Sequence, residues 1–397
     1  MDIFKDRLLL ITCGRGVVPY LRQEVEQLGY KVLSTHDTGL EVDASFEDAA
    51  KLNLCLRTAL RVQYLLKKFL CRNPDQLYRE VVSIPWEEVM AVSEYLSVVS
   101  VTKTVNVNNS MFASQKVKDA IVDRMVEKCG DRPCSGPKRD NVVVHLYWKD
   151  DYCWLYLDTS GNKLSDRTYR KIPHTAPLQE TLAAALLLAA GYKGSVPLVN
   201  PMCGSGTLAI EAALIALRYA PGLLRNNFGL MHVKNFNATK WVALRKELQA
   251  DMLTRMPVRI IASDIDKHAI EIAKANARAA GVDKMIEFYV CDFTDTPLPP
   301  EKGIVILNPE YGLRMGQDKE LGQIYESIGD FFKQKCAGFT GYIITGNLLG
   351  AKQVGLRTSR KLIFFNAQIE CRLLEYPLYA SDKKTVQENS TLDNDKV

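Results

Sequence analysis

At 397 residues the chain exceeds what one hydrophobic core usually holds, so two or three domains are expected. Hydrophobic residues make up 47% and charged residues 24%, which excludes a disordered or fibrous protein. The net charge of +5 suits contact with a polyanion without requiring it, and no apolar run reaches the ~18 residues of a membrane span.

The opening "MDIFKDRLLLITCGRG" places acidic residues ahead of its apolar run, a poor signal peptide and a good first strand. The 10 cysteines are scattered singly with no Cys-x-x-Cys, so neither a disulfide framework nor a zinc site is expected. Reduced thiols and a cytoplasmic location follow, with no membrane and no metal.

In chain order, "RLLLITC" reads as a strand and "VVPYLRQEVEQLG" as a helix ended by Gly29. "YKVLSTHDTGLEVDA" reads as two strands across a turn at Asp37–Gly39. "SFEDAAKLNLCLRTALRVQYLLKKF" begins with a serine N-cap and covers more than one element. "VSVTKTVNVN" alternates as a strand, "SQKVKDAIVDRMVEKCG" is a helix ended by Gly130, and "NVVVHLYWKDDYCWLYLDTS" is a hairpin. To about residue 165 this is an α+β region.

From about residue 178 strands and helices alternate, which predicts a parallel, doubly wound sheet. Its strands are "VPLVN" (196–200), "RIIASD" (259–264), "IEFYVCD" (286–292), "GIVILNP" (303–309) and "GYIITGN" (341–347). An antiparallel pair, "KLIFFN" and "IECRLLEYPL", closes the chain before a polar tail read as disordered.

Ligand-type groups recur at the ends of these strands. "VPLVNPMCGSGTLAIEAALIAL" is a strand, a glycine turn and a helix. Gly204 and Gly206 let backbone pass close to a ligand, and a helix N-terminus follows. The lysine of a phosphate-binding P-loop is missing, which argues against triphosphate hydrolysis. The next strand ends in "SDID", with Asp264 able to hold both ribose hydroxyls, and the one after in "CD", with Asp292 able to accept from an adenine amino group. Either aspartate alone could cap the helix after it; the ordered series argues for a ligand edge. The acid lies too far along for the dinucleotide fingerprint, so a nucleoside without a pyrophosphate, S-adenosylmethionine, fits better than a nicotinamide.

The fourth strand runs into Asn308, Pro309, Glu310 and Tyr311. As a bare tetrapeptide this is a turn. At this strand end, the Asn308 amide oxygen and the Pro309 carbonyl could accept both hydrogens of an exocyclic amine. Tyr311 could then stack on a flipped base.

"NPMCGSGTLAIEAALIA", "SDIDKHAIEIAKANARAAGV", "NPEYGLRMG", "ITGN" and "NAQIECRLLEYPL" together resemble the THUMP-containing class I S-adenosylmethionine-dependent RNA guanine-N2 methyltransferases. The likeness is to the bacterial branch acting on large-subunit (23S) ribosomal RNA. It runs from about "LDTSGNKLSDRTYRKIPHTAPLQETLAAALL" to Leu378. Upstream, "SVTKTVNVNNSMFASQKVKDAIVDRM" is similar to a THUMP module.

The resemblance implies a Rossmann-like methyltransferase domain over 163–380, a ferredoxin-like subdomain over 1–60 and a THUMP-like RNA-binding domain over 61–162, with the tail at 381–397. It implies a cofactor site at Pro201, Cys203, Gly204, Ser205, Gly206, Thr207, Asp264, Asp292 and Asn308. Asn308, Pro309 and Tyr311 would hold the target base. The usual family tetrapeptide is Asn-Pro-Pro-Tyr, so Glu310 is a departure, and Asn200 stands where the family often has Asp. Glu310 either contributes only backbone shape, or takes the released proton or meets the guanine N1–H edge.

Lys163, Arg167, Arg170 and Lys171 form a basic stretch opposed only by Asp166, and with Arg314 they are candidate RNA contacts. Lys67, Lys68, Arg72, Arg79, Lys116, Lys118 and Arg124 lie among acids such as Glu80, Asp119 and Asp123. The expected protein is a monomer acting on RNA, ribosomal first. Transfer RNA guanine, an adenine N6 amine, or a non-catalytic RNA-binding assembly protein stand as alternatives.

Overall fold

The structure, a computed structural model, describes residues 3–107, 109–170, 178–309 and 318–379. Its first half is built from β1 (Leu9–Cys13), α1 (Val18–Gln27), β2 (Lys31–His36), β3 (Gly39–Asp43), α2 (Asp48–Cys55) and β4 (Ala59–Leu70). There follow α3 (Pro74–Val82), the one-turn α4 (Trp86–Val89), β5 (Leu96–Lys103), α5 (Ser110–Cys129), β6 (Val142–Lys149) and β7 (Tyr152–Asp158). They form one seven-stranded sheet in the order β2-β3-β1-β4-β7-β6-β5, parallel only between β5 and β6.

The stretch from Ser45 does hold two elements, but the first, α2, is N-capped by Glu47 without a side-chain cap; Ser45 and Asp48 instead exchange hydrogen bonds across the turn ahead of it. Ser45 Oγ accepts from the Asp48 amide at 3.3 Å, and Asp48 Oδ2 accepts from the Ser45 amide at 2.8 Å. The second element, β4, is a strand of 12 residues that pairs with β1 on one side and β7 on the other. It therefore crosses residue 61 and stitches the first two expected subdomains into one sheet.

The second half comprises α6 (Glu180–Ala189), β8 (Leu198–Pro201), α7 (Thr207–Ala216), α8 (Ala238–Ala250), β9 (Ile260–Asp264), α9 (Lys267–Ala279) and β10 (Glu287–Val290). Then come β11 (Ile304–Leu307), α10 (Asp318–Gln334), β12 (Thr340–Thr345), β13 (Arg360–Asn366) and β14 (Ile369–Pro377). The sheet order is β10-β9-β8-β11-β12-β14-β13, with the first five strands parallel and the last two antiparallel, as the alternation predicted. Chain direction across the sheet reverses between β8 and β11, and such a switch point opens a crevice at the strands' carboxyl ends.

The halves share one apolar core, with residues such as Leu54, Val62, Leu214 and Ile260 in the same buried cluster. At the seam a Cβ on Gly222 would lie 2.5 Å from Leu54 Cα, so only glycine permits that approach. Lys240 pairs with Glu47 at 2.7 Å and Lys234 Nζ donates to the Glu87 carbonyl at 2.7 Å.

Candidate active site

The glycine loop turns on three left-handed residues: Met202 (φ 53°), Gly204 (φ 53°) and Gly206 (φ 79°). A Cβ at Gly206 would meet Ala273 Cβ of α9 at 2.9 Å, so the residue is fixed by backbone and neighbour alike. The loop is held from both sides: the Cys203 amide donates to Ser263 O at 2.9 Å, and Asn276 Nδ2 donates to Ser205 O at 3.1 Å. Pro201, Ser205, Gly206 and Thr207 are buried, whereas Met202, Cys203 and Gly204 reach the surface. Burial raises the Cys203 thiol well above its ordinary range, with the Asp264 charge a smaller contributor, so it stays protonated. Met202 escaped the sequence reading; a non-glycine residue at positive φ leaves no compositional mark.

Asp264, at the end of β9, accepts from the Gly204 amide through Oδ2 at 2.9 Å and from the Asp266 amide through Oδ1 at 3.0 Å. It organises the loop and leaves helix capping to Asp266, which accepts from His268 N at 2.8 Å. Each carboxylate oxygen keeps a lone pair for hydroxyl donors. Asp292 does serve as a cap: its Oδ1 accepts from Thr294 N at 2.9 Å and Thr294 Oγ1 at 2.6 Å, opening a short 3-10 turn. Among the described residues its Oδ2 has no partner. Between these acids Ile265 is 71% exposed, an apolar side chain on a polar edge and suited to a purine face. An isoleucine between two aspartates at a strand end was the available signal.

Asn200 ties the two central strands together. Its Nδ2 donates to Ile306 O of β11 at 2.9 Å, which sets the glycine loop beside the carboxyl end of β11, where Asn308 and Pro309 follow. Its Oδ1 is buried without a partner among the described residues, an acceptor that a bound amino group would satisfy. Loop, carboxylates, apolar platform and orphan acceptor together fit an amino-acid-bearing nucleoside. Glu310, Tyr311, Arg314 and Lys171 lie outside the described residues.

The basic stretch divides. Lys163 is exposed, as expected for a phosphate contact. Arg167 must be corrected: it is 2% exposed, with Nε on Glu211 Oε1 at 3.2 Å, Nη1 on Leu164 O at 3.1 Å and Nη2 on Arg57 O at 2.5 Å. A guanidinium spent on three internal acceptors is a strut. Arg170 is also turned inward, pairing with Glu180 at 2.9 Å and reaching Leu178 O at 2.8 Å and Thr207 Oγ1 at 3.3 Å. It clamps the start of α7 to the start of α6 rather than meeting solvent phosphate. Burial raises the Glu180 carboxyl, and the Arg170 charge opposes the rise.

A second buried network lies where β4 and β7 meet. Asp158 accepts from His145 Nε2 at 3.1 Å, from the Ser160 amide at 2.9 Å and from Arg61. Burial would raise its carboxyl, but the His145 hydrogen bond and the Arg61 charge outweigh that and hold it below the ordinary range.

The chain matches three family models: an RlmL ferredoxin-like domain over residues 8–63, a THUMP domain over 71–158 and an RMKL-like methyltransferase domain over 167–375. It is 37% identical over 379 residues to the ribosomal RNA large subunit methyltransferase K/L of Syntrophotalea carbinolica, covering 92% of this chain and 53% of that protein. The chain thus spans about half the length of that relative. A crystal structure of SMU.472, provisionally described as a methyltransferase and solved with S-adenosylhomocysteine, superposes with a TM-score of 0.84 at 26% identity, over 93% of this chain and 97% of that one. A Listeria monocytogenes protein provisionally described as an N6-adenine-specific DNA methylase superposes with a TM-score of 0.84 at 30% identity, over 94% and 96%. No described helix is long and apolar enough to cross a membrane.

Proposed function

The chain belongs to the RMKL-like methyltransferase family, and from that premise we propose that it methylates the exocyclic N2 amine of a guanine in RNA, ribosomal RNA first, using S-adenosylmethionine. The observation that carries the reading is the adjacency of β8 and β11, tied by Asn200, with a glycine loop after one and Asn308–Pro309 after the other. The THUMP domain and the ribosomal RNA name of the K/L relative support RNA as the substrate.

Bound S-adenosylmethionine supplies a methyl group on a positively charged sulfur. Met202–Gly204 pass against its amino-acid end, and Asn200 Oδ1 accepts from its amino group. Asp264 takes the ribose hydroxyls, Ile265 the purine face and Asp292 Oδ2 the adenine amino group. On the substrate side, the Asn308 amide oxygen and the Pro309 carbonyl accept the two N2–H hydrogens. That localises the nitrogen lone pair toward the methyl group, a gain from positioning and electrostatics. The new N–C bond forms as the C–S bond breaks, the pair stays on sulfur, and the nitrogen loses one proton to solvent. Tyr311, on the resemblance, is the ring assigned to the base. The protein works as a cytoplasmic monomer without a metal.

The test is incubation with methyl-labelled S-adenosylmethionine and total RNA, followed by mass spectrometry of the nucleosides. N2-methylguanosine is expected and is lost in Asn308→Ala. N6-methyladenosine, or transfer to DNA alone, would hand the site to the adenine reading that the Listeria neighbour's description favours. No transfer to any nucleic acid would leave a binding protein.

A further inference from the structure

Part of one face of the N-terminal sheet is uncovered. The register of β4, β7, β6 and β5 sets two cross-strand rows there: Leu70, Tyr152, Lys149 and Lys103, then Lys68, Trp154, Tyr147 and Val101. The next row, with Tyr156 and His145, lies toward the end closed over by the second half, where the Leu230 amide donates to Thr159 O at 2.9 Å. Tyr156 in that row is only 4% exposed. In the open rows Tyr152 is 47% exposed, Leu70 45% and Val101 49%, and all three lysines reach solvent. On the opposite face Trp148, Cys153 and Leu155 are fully buried.

The exposed ring of Tyr152 and the half-buried rings of Trp154 and Tyr147 form a continuous set. Trp154 lies 5.7 Å from Tyr147 and 6.1 Å from Tyr152, centroid to centroid. Lys68 Nζ sits 5.1 Å from the Trp154 ring and 5.7 Å from the Tyr152 ring. Of the two acids in the β6–β7 turn, Asp151 is paired with Arg72 at 3.0 Å, which leaves Asp150 against three lysines. Tyr152 is exposed and Trp154 and Tyr147 are half-buried beside it, so three partly wet rings adjoin on one sheet face, as at a binding surface.

We propose that this face is a stacking platform for a single-stranded segment of RNA, with bases laid on Tyr152, Trp154 and Tyr147 and phosphates neutralised by Lys68, Lys103 and Lys149. Aromatic side chains accept any base through its π-face, and the lysines supply the counter-charge. Lysine is depleted from protein–protein interface cores, so three of them among eight positions argue for a polyanion over a protein partner. The inference rests on an RNA substrate for the site above and deepens it. Its test needs no turnover, so the two readings fail separately.

The intact protein is titrated with a short fluorescent oligouridylate and with a duplex of matched length. Tyr152→Ala and Trp154→Ala should each weaken single-strand binding by about tenfold and duplex binding far less. Lys68→Glu should weaken it strongly at low salt and little at high salt. S-adenosylhomocysteine affinity, unchanged, reports that each variant is folded; should Trp154→Ala misfold, Tyr152→Ala and Lys68→Glu carry the test. Unchanged oligouridylate affinity in those two variants overturns the proposal. So does equal loss on the duplex, or a wild-type dimer that Tyr152→Ala dissociates, which would assign the face to a second copy.

Discussion

The two seven-stranded sheets handle polar groups in opposite ways. In the catalytic sheet, β8 and β11 are buried along their whole length, and the polar side chains cluster at the carboxyl ends, at Asn200, Asp264, Asp292 and Asn308. In the N-terminal sheet, β7 and β6 alternate, and aromatic and basic side chains spread over a face. Parallel strands joined by helices are covered on both sides, which leaves only their ends for chemistry. Antiparallel strands joined by hairpins can spare a face. On the proposed reading, one sheet concentrates its function at an edge, and the other spreads it over a surface.

The contrast should break first at the seam, where neither rule holds. Arg167→Ala leaves Glu211 fully buried and without its ion pair, and should cost about 3–5 kcal/mol of stability in denaturant unfolding. RNA affinity of the folded fraction should hardly change; a large loss of affinity without loss of stability would return Arg167 to the RNA-contact role.

At the catalytic edge, Asn308→Ala should lower single-turnover methyl transfer by about a hundredfold with RNA affinity retained. Gly206→Ala forces a Cβ onto Ala273 at a positive φ, and S-adenosylhomocysteine affinity by calorimetry should fall about tenfold. Wild-type affinity there would mean the loop is not the cofactor cradle.

Asp158 gives the N-terminal sheet a pH signature. Its folded carboxyl is held below the unfolded value of about 3.9, so its contribution is complete above that pH and is lost as pH falls through the folded value. Stability measured through the acid range should decline more steeply in wild type than in Asp158→Asn. The smallest effect belongs to Lys163→Ala, an exposed residue whose loss should lower the salt slope of RNA binding by about one charge and leave stability unchanged.

The parallel sheet was legible because each strand is a short apolar run ending in a ligand-type residue, and because strand–helix alternation leaves few topologies. The hairpin of β6 and β7 was legible from its alternation. Residues 59–70 were less so: β4 is buried on both faces for much of its length and reads like the helix before it. Arg167 was misplaced because its partner Glu211 lies 44 residues away; Arg170 pairs with Glu180 only 10 residues on, but across a stretch whose path the sequence does not display. Local charge density says where cations are and nothing about which ones a fold will bury. Asp264 was placed at the correct strand end, but its hold on the Gly204 amide depends on a loop conformation that the sequence does not display.

The seam has a geometric consequence. Gly222 against Leu54, Arg167 on the Arg57 carbonyl and the Lys240–Glu47 pair leave the halves little freedom to rotate against each other. On the proposed reading, an RNA gripped by one half and modified by the other is measured against a fixed length, as by a gauge. Choice of nucleotide then becomes a matter of counting from the gripped segment, and inserting or deleting a nucleotide between it and the target base should move the methyl mark along the RNA rather than abolish it.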